Sequence, residues 1–358
     1  MAVVATGFFD GVHLGHRLVT DTLLRAAHER GEQSVVVTFW PHPRTVLQED
    51  ARELRLLNSL QEKLSMLKGL GIDRVEVVDF TREFSRMTAE EYLRERVIGQ
   101  LGGTAVVLGY DNRMGSDGLS HDAIVPLARR LGLDVIECPA ISTVAGEPGS
   151  SNRLTPFGPP HCEQWVPPSY VAEGGTDSQT QALPPRPANP LTPFDQGSNT
   201  AEGDIDSQTA ISSTKIRAAL ERGDIAQANA MLGYSYGLHG VVVAGNRLGR
   251  TMGYPTANMQ LYEPLKLVPA NGVYLVEAET LGKRFHGMTN IGVRPTVSGA
   301  GVRTIETHIF DFNEFIYGLD LRLSFLAKIR DERRFDSLEG LKLQLAEDER
   351  LCRSLLAK

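Results

Sequence analysis

The chain has 358 residues and a formal net charge of −7 at neutral pH, a length that suits two domains and a charge that excludes general attraction to nucleic acid or to an anionic membrane. No apolar run reaches the roughly 18 residues of a membrane span, and the start "MAVVATGFFDG" lacks the basic and apolar regions of a secretion signal. Three scattered cysteines indicate neither a disulfide framework nor a zinc site, so we expect a cytoplasmic protein without nucleic-acid or membrane partners.

The first 140 residues alternate short apolar runs with longer amphipathic ones. The predicted strands are AVVAT (2–6), SVVVTF (34–39), IDRVEVVDF (72–80), TAVVLGYD (104–111) and DVIECPAI (134–141). The predicted helices are 16–31, 54–71, 88–102 and 121–133. Strands separated by helices predict βαβ units and a doubly wound parallel sheet.

The composition changes between about residues 145 and 207, which are rich in Pro, Gly, Ser, Thr and Gln. Apolar periodicity is absent there, so we predict a long and largely irregular insertion. A helix start followed by helical spacing then appears in AISSTKIRAALERGDIAQANAMLG (210–233).

The remaining residues have a different pattern, in which short apolar runs are separated by glycine-rich turns. The runs are GLHGVVVAG (237–245), GVYLVEAET (272–280), RFHGMTNIG (284–292), RTIETHIFDF (303–312) and DLRLSFLAKI (320–329). They predict a compact antiparallel barrel. One amphipathic helix over 336–357 follows it, with Asp336 or Ser337 as its N-cap. We therefore predict an α/β domain over 1–233 and a small β domain over 234–358.

The first motif is GFFDGVHLGHR (7–17), which follows the first strand and leads into the first helix. Its glycines allow the backbone to approach a ligand closely, and a helix N-terminus there presents free N–H groups to an anion. His13 and His16 add side-chain donors for charge that builds on phosphate oxygens. Two alternatives stay open, namely a metal bound by the histidine pair, for which no third ligand lies nearby, and ordinary histidines at a turn.

The second motif is GNRLGRTMGYPTANM (245–259). Thr256 and Asn258 lie two residues apart, so in an extended segment they point the same way. A hydroxyl and an amide oxygen are hard ligands that suit Mg²⁺, although a plain polar turn after a proline is the alternative. On the predicted strand 303–312, Glu306 and His308 share one face, and Glu306 is either an acceptor for a substrate proton or an exposed carboxylate.

Several of these stretches resemble one known family. GFFDGVHLGH is similar to the signature of nucleotidyltransferases of the bacterial FAD synthetase branch, and TFWPHPR (38–44), LGYDNRMG (108–115) and ISSTKIR (211–217) resemble three further segments of that branch, in the same order. GRTMGYPTAN strongly resembles the riboflavin kinase signature, and the "ETH" strand and NIGVRPTV (290–297) also resemble that kinase. Outside the insertion, the chain resembles the bacterial bifunctional riboflavin kinase/FAD synthetases.

This resemblance implies a Rossmann-like doubly wound nucleotidyltransferase domain followed by a small β-barrel kinase domain, whose C-terminal helix covers the flavin. It implies phosphorylation of riboflavin by ATP to FMN, then transfer of an adenylyl group from ATP to FMN, giving FAD and pyrophosphate. Mg²⁺ is the implied cofactor, ATP the co-substrate, and riboflavin and FMN the partners. The alternatives are a kinase whose adenylyltransferase domain has decayed, and a flavin carrier without turnover.

The resemblance also assigns roles to individual residues. Catalysis is assigned to Glu306 as the base of the kinase, and to His13 and His16. The ATP site of the adenylyltransferase is assigned to Gly7, Phe8, Asp10, Gly11, His13, His16, Ser213, Thr214 and Arg217, and its flavin side to Asp111. The ATP site of the kinase is assigned to Gly245, Gly249, Arg250, Gly253, Thr256 and Asn258, with Thr256 and Asn258 as Mg²⁺ ligands and Asn290 and Arg294 shaping the wall.

Overall fold

The computed structural model describes residues 1–47, 54–140, 210–245, 248–294 and 302–357. The predicted insertion at about 145–207 therefore lies outside the described residues.

The first half folds around a parallel sheet, as predicted. Its strands are β1 (Ala2–Thr6), β2 (Gln33–Trp40), β3 (Arg74–Asp79), β4 (Gly103–Gly109) and β7 (Asp134–Cys138), in the order β3-β2-β1-β4-β7, with a small hairpin of β5 (Arg113–Met114) and β6 (Leu119–Ser120) beside it. The helices are α1 (Leu14–Arg30), α2 (Pro43–Leu47), α3 (Leu60–Gly69), α4 (Ala89–Glu91), which continues as a π-helix over Tyr92–Gln100, and α5 (His121–Arg130).

Both faces of this sheet are covered because its strands are apolar on both sides. Val3 and Ala5 of β1 point into one core with α1 and α3, whereas Val4 points into a second core with the π-helix and α5. A parallel sheet with helices on both faces is the doubly wound arrangement, in which ligands bind beyond the carboxyl ends of the strands. The predicted fold class of this domain is therefore confirmed.

Two helix starts differ from the prediction. Helix α1 begins at Leu14, two residues before the predicted start, because the His13 side chain caps it. Residues 54–59 were predicted as the start of a helix, but α3 begins only at Leu60, where Ser59 and Glu62 form a capping box. Leu56 instead exchanges backbone hydrogen bonds of 2.8 Å with Leu265 and Leu267 in the second half of the chain.

The second half forms a closed antiparallel barrel in the order β10-β11-β12-β9-β8-β13. Its elements are β8 (Gly237–Val243), α8 (Leu248–Thr251), β9 (Ala257–Leu261), β10 (Gly272–Thr280), β11 (Lys283–Arg294), β12 (Val302–Ile309), β13 (Asp320–Arg330) and α9 (Leu338–Leu356). The barrel and the terminal helix are confirmed, and Ser337 is the N-cap of α9. Strand β9 was not among the predicted runs.

Two helices join the halves, α6 (Ser213–Arg222) and α7 (Ile225–Leu232). Their buried faces belong to one apolar cluster with the interior of the barrel, which includes Tyr274 and Phe325. Lys266, which is 5% exposed, also forms an ion pair with Glu62 of α3. Helices α6 and α7 thus pack on the barrel, although the N-terminus of α6 faces the parallel sheet.

Candidate active sites

The segment between β1 and α1 is a tight turn in which three residues have a left-handed backbone. Phe9 has φ 54°, Gly11 φ 84° and Val12 φ 35°. At Gly11 a Cβ atom would lie 2.7 Å from Cδ1 of Leu57, so the turn also packs closely against the segment before α3. Only glycine meets both conditions at position 11.

His13 and His16 stack on each other at the N-terminus of α1, with ring centroids 3.7 Å apart and an interplanar angle of 13°. Nδ1 of His13 accepts a hydrogen bond of 3.3 Å from the backbone N–H of His16. Burial lowers the pKa of His13 to about 4 and holds the pKa of His16 well below its usual value. Both rings are therefore neutral at pH 7, and each keeps one N–H donor.

The Nδ1 atom of His16 is buried and has no hydrogen-bond partner among the described residues. A buried polar atom without a partner normally indicates a missing ligand or water. The alternative of a metal held by the histidine pair finds no support, since the described residues contain no group of three or more His, Cys, Asp or Glu side chains that is arranged for a metal ion.

A cavity of about 820 Å³ opens at the carboxyl ends of the central strands, beside this turn. It brings together most of the residues predicted for the adenylyltransferase site. Those that line it are Gly7, Phe8, His13, His16, Asp111, Ser213 and Thr214. Ser212 caps α6 by accepting from the N–H of Lys215, so the N-terminus of this helix also faces the cavity.

Asp10, Gly11 and Arg217 are not among the residues that line the cavity. Asp10 is 3% exposed, and its carboxylate accepts from the backbone N–H groups of Leu57 and Asn58 at 3.0 to 3.1 Å and from the Arg217 guanidinium. Nε of Arg217 donates to the carbonyl oxygen of Arg55 at 2.8 Å. Asp10 thus holds Arg217 in place, and contacts of either residue with ATP stay a prediction.

The aromatic wall of this cavity was not predicted from the sequence. It consists of Phe39, Phe80, Phe84, Tyr92 and Tyr110. Asn112 was also missed, although its side chain accepts from the N–H of Gly109 at 3.0 Å and donates to the carbonyl oxygen of Thr6 at 3.3 Å. It thereby ties together the ends of β4 and β1. Its position just after a predicted strand, next to Asp111, was the available signal.

A second cavity, of about 190 Å³, lies on the barrel. The predicted kinase residues that line it are Gly245, Arg250, Thr256 and Asn258. A Cβ atom on Gly245 would lie 2.2 Å from Nδ2 of Asn258, so glycine is required there for the amide to take its place. Gly249 and Gly253 belong to the same segment but do not line the cavity.

Glu306 lies beside this cavity rather than in its lining. In the register of the barrel it is opposite Asn258 on one neighbouring strand and opposite Asn290 on the other, so these side chains share one face. The next residue, Thr307, is fully buried and bonds the Thr289 hydroxyl at 2.9 Å. The predicted alternation along this strand is therefore confirmed. The side chain of Arg294 lies outside the described residues.

Two features around the second cavity were not predicted. The loop after β12 contributes six lining residues, Phe312, Asn313, Glu314, Phe315, Ile316 and Tyr317. Phe315 is 76% exposed, which is unusual for a phenylalanine and places it at the mouth. Nδ1 of His308 donates a 2.8 Å hydrogen bond to the Pro255 carbonyl oxygen, and because a carbonyl can only accept, this ring nitrogen carries the proton.

Comparison with known proteins finds a different family match in each half of the chain. Residues 1–153 match the family model described as FAD synthetase, and residues 232–356 match that described as riboflavin kinase. A crystal structure of a macrolide-efflux protein from Streptococcus pneumoniae shares the fold, with a TM-score of 0.75 and 27% identity over 98% of this chain and 93% of that one. Among the described residues, no helix combines the length and the apolar character needed to cross a bilayer.

Two curated relatives match nearly the whole chain. The bifunctional riboflavin kinase/FMN adenylyltransferase of Bacillus subtilis is 30% identical, over 97% of this chain and 90% of that protein. The protein of the same name from Escherichia coli K12 is 32% identical over the same shares. With an FAD synthetase domain, a riboflavin kinase domain and relatives that contain both, the chain belongs to the family of bifunctional riboflavin kinase/FMN adenylyltransferases.

Proposed function

We propose that this enzyme converts riboflavin to FMN at the barrel cavity and FMN to FAD at the cavity beside the parallel sheet. The observation that supports this most strongly is that each of the two motifs lines a separate cavity, with the donors that its own reaction needs. One reaction transfers a phosphoryl group and the other an adenylyl group, so positioning and charge stabilisation account for most of the catalysis.

In the adenylyl transfer, a phosphate oxygen of FMN attacks the α-phosphorus of ATP, and the bond to the β-phosphate breaks to release pyrophosphate. The nucleophile is already anionic, so no side chain has to remove a proton. Neutral His13 and His16 donate hydrogen bonds to oxygens on which negative charge builds. The N-termini of α1 and α6 favour the same charge through their free N–H groups.

The aromatic wall of the first cavity fits the flavin ring of FMN. Phe39, Phe80 and Phe84 contact each other with ring centroids 5.6 to 5.9 Å apart, and Phe84 contacts Tyr92. A large planar apolar ring system gains from such surroundings by burial and by stacking. We place the flavin against this wall and near Asp111, and the ATP phosphates near the histidine pair.

In the kinase step, Glu306 accepts the proton of the ribityl 5′-hydroxyl, whose oxygen attacks the γ-phosphorus of ATP and displaces ADP. Asn258 and Asn290 lie opposite Glu306 on the two neighbouring strands. Their role in this step is to orient the reacting groups on this face. The donor set also suits Mg²⁺, because the Thr256 hydroxyl and the Asn258 amide oxygen are hard oxygen ligands in one cavity. When bound there, Mg²⁺ neutralises charge on the ATP phosphates.

We also propose a functional boundary at residues 233 and 234. The residues that line the first cavity all precede it, and those that line the second all follow it. Helices α6 and α7 precede this boundary but pack against the barrel, in the same apolar cluster. The boundary therefore separates the two sites, whereas the apolar core continues across it.

The experiment that tests the proposal incubates the purified protein with riboflavin, ATP and Mg²⁺ and separates the flavins over time. We expect FMN and then FAD. His16→Gln abolishes FAD but leaves FMN formation within about twofold. Glu306→Gln abolishes FMN from riboflavin but leaves FAD formation from supplied FMN. FMN without FAD from the wild type would support the decayed-domain alternative, and neither product would support the carrier.

A further inference from the structure

Lys63 of α3 is a buried cation that the proposed chemistry does not use. It is 1% exposed. Its Nζ donates to the carbonyl oxygen of Phe8 at 3.0 Å, to Oγ1 of Thr38 at 2.9 Å and to the carbonyl oxygen of Phe39 at 3.4 Å. Among the described residues, no ion pair joins it to a carboxylate.

A charged group in this place needs an explanation. Removal of an ammonium group from water costs several kcal/mol, and three uncharged acceptors offset only part of this cost. Burial accordingly lowers the pKa of Lys63 to about 8, even though the charge of Asp10 acts in the opposite direction. A methionine would fill the same space among the apolar neighbours of α3 without that penalty. The cation is therefore retained at the expense of stability.

The position of Lys63 relates it to the turn of the first motif. Its Nζ lies 3.9 Å from the centre of the Phe8 ring, and the Thr38 hydroxyl donates to the same Phe8 carbonyl oxygen at 3.0 Å. Two donors thus fix the plane of the peptide between Phe8 and Phe9. Because a trans peptide is planar, the N–H of Phe9 points away from Lys63.

The N–H of Phe9 has no hydrogen-bond partner among the described residues, and Phe8 and Phe9 both line the first cavity. An unpartnered N–H in a peptide that borders the cavity is a candidate donor to an anion there. The charge of Lys63 also reaches the cavity, since it contributes to the lowered pKa values of His16 and His42, after burial as the main cause.

We propose that Lys63 is a positioning residue for adenylyl transfer, which holds the Phe8 carbonyl so that the Phe9 N–H faces the ATP phosphates, and whose charge favours the negative charge that builds there. The inference rests on the proposed function of this cavity. It requires no contact between Lys63 and either substrate.

The test is Lys63→Met, with Lys68→Met as the matched control, since Lys68 is an exposed lysine on the same helix. We expect kcat for FAD formation from FMN to fall on the order of 10- to 100-fold in Lys63→Met, with a smaller change in KM. FMN formation stays within twofold. The melting temperature stays equal or rises, because a buried charge is removed. The control matches the wild type in all of these.

A pH profile separates this role from a merely structural one. The wild-type kcat for FAD formation falls as the pH rises through about 8, where Lys63 loses its proton. The charged and titratable groups that act on Lys63 or feel its charge are Asp10, His16 and His42, and the two histidines are already neutral there. The profile of Lys63→Met is flat in this range.

Thr38→Val is a second variant, which removes one of the two donors to the Phe8 carbonyl and one acceptor of the Lys63 ammonium, but keeps the lysine itself. We expect its kcat to fall about fivefold, and the decline of kcat at high pH to persist but to begin at a lower pH than in the wild type. This variant decides the question if Lys63→Met does not fold. Wild-type kcat and an unchanged pH profile in Lys63→Met, or wild-type kcat in Thr38→Val, would overturn the inference. A wild type that makes no FAD would instead overturn the proposed function.

Discussion

The carboxylate of Asp10 offers the sharpest test of how the first site is held together. Asp10 lies in the turn of the first motif, whereas its partner Arg217 lies in α6, on the far side of the insertion. The same carboxylate binds the N–H groups of Leu57 and Asn58. We predict that Asp10→Asn weakens the turn, the segment before α3 and the N-terminus of α6 together.

The size of the expected loss in the free energy of unfolding follows from the burial of the Asp10 carboxylate. Asparagine keeps one acceptor oxygen and places an NH₂ group against the N–H donors that the carboxylate accepted. Removal of one partner of a buried ion pair costs about 3–5 kcal/mol. Asp10 is 3% exposed but the Arg217 side chain keeps 18%, so water relieves part of the loss on the arginine. We therefore expect the free energy of unfolding to fall by about 3 kcal/mol, and FAD formation to fall with it.

The assay is equilibrium urea unfolding followed by the fluorescence of Trp40, which lies in β2 of the parallel sheet. The second tryptophan, Trp165, is replaced by phenylalanine in every variant so that only this domain is observed. Asp134→Asn is the matched control, because its carboxylate pairs with Arg30 at the surface and is 68% exposed. We expect this control to lower the free energy of unfolding by less than about 1 kcal/mol.

Equal losses in the free energy of unfolding for Asp10→Asn and Asp134→Asn would show that the buried carboxylate does not hold these segments together. A second check is the double variant of Asp10→Asn with Arg217→Met. Because the two side chains share one interaction, their effects should not add, and the double variant should be little worse than Asp10→Asn alone.

Three other predictions concern the histidine pair, the insertion and a cysteine. Since burial lowers the pKa of His13 to about 4 from an ordinary 6.5 and also holds that of His16 well below its ordinary value, the unfolded chain binds more protons below pH 6.5. The free energy of unfolding should therefore decrease as the pH falls from 6.5 towards 4, and a variant with both histidines replaced by glutamine should lose part of that dependence in urea titrations. Deletion of residues 150–205, which lie outside the described residues, should leave the rate of FMN formation nearly unchanged, and its loss would contradict the division of sites. Burial raises the pKa of Cys352 to about 12, so this thiol should resist alkylation by iodoacetamide at pH 8 in the native protein and react in urea, as mass spectrometry of its peptide would show.

Much of the fold and of both sites follows from local sequence. Apolar periodicity and turn residues are local signals, so the strands of the parallel sheet and the terminal helix were predicted, with Ser337 as one of two candidate caps for that helix. The two glycine-rich motifs were found for the same reason. The segment at 54–59 was misjudged because its leucines have helical spacing, but Leu56 pairs with a strand-like segment from the other domain. Strand β9 was missed because it is short and follows a glycine-rich loop.

The amino-acid sequence shows which residue types are present for each reaction and in which order they occur. Their partners are set by tertiary contacts that no local pattern shows. It paired Arg217 with Asp10, buried Lys63 beneath the Phe8 carbonyl and gathered an aromatic wall from separate segments. Periodicity and capping act over a few residues, whereas the cost of burying a charge depends on atoms that folding brings from distant positions in the chain.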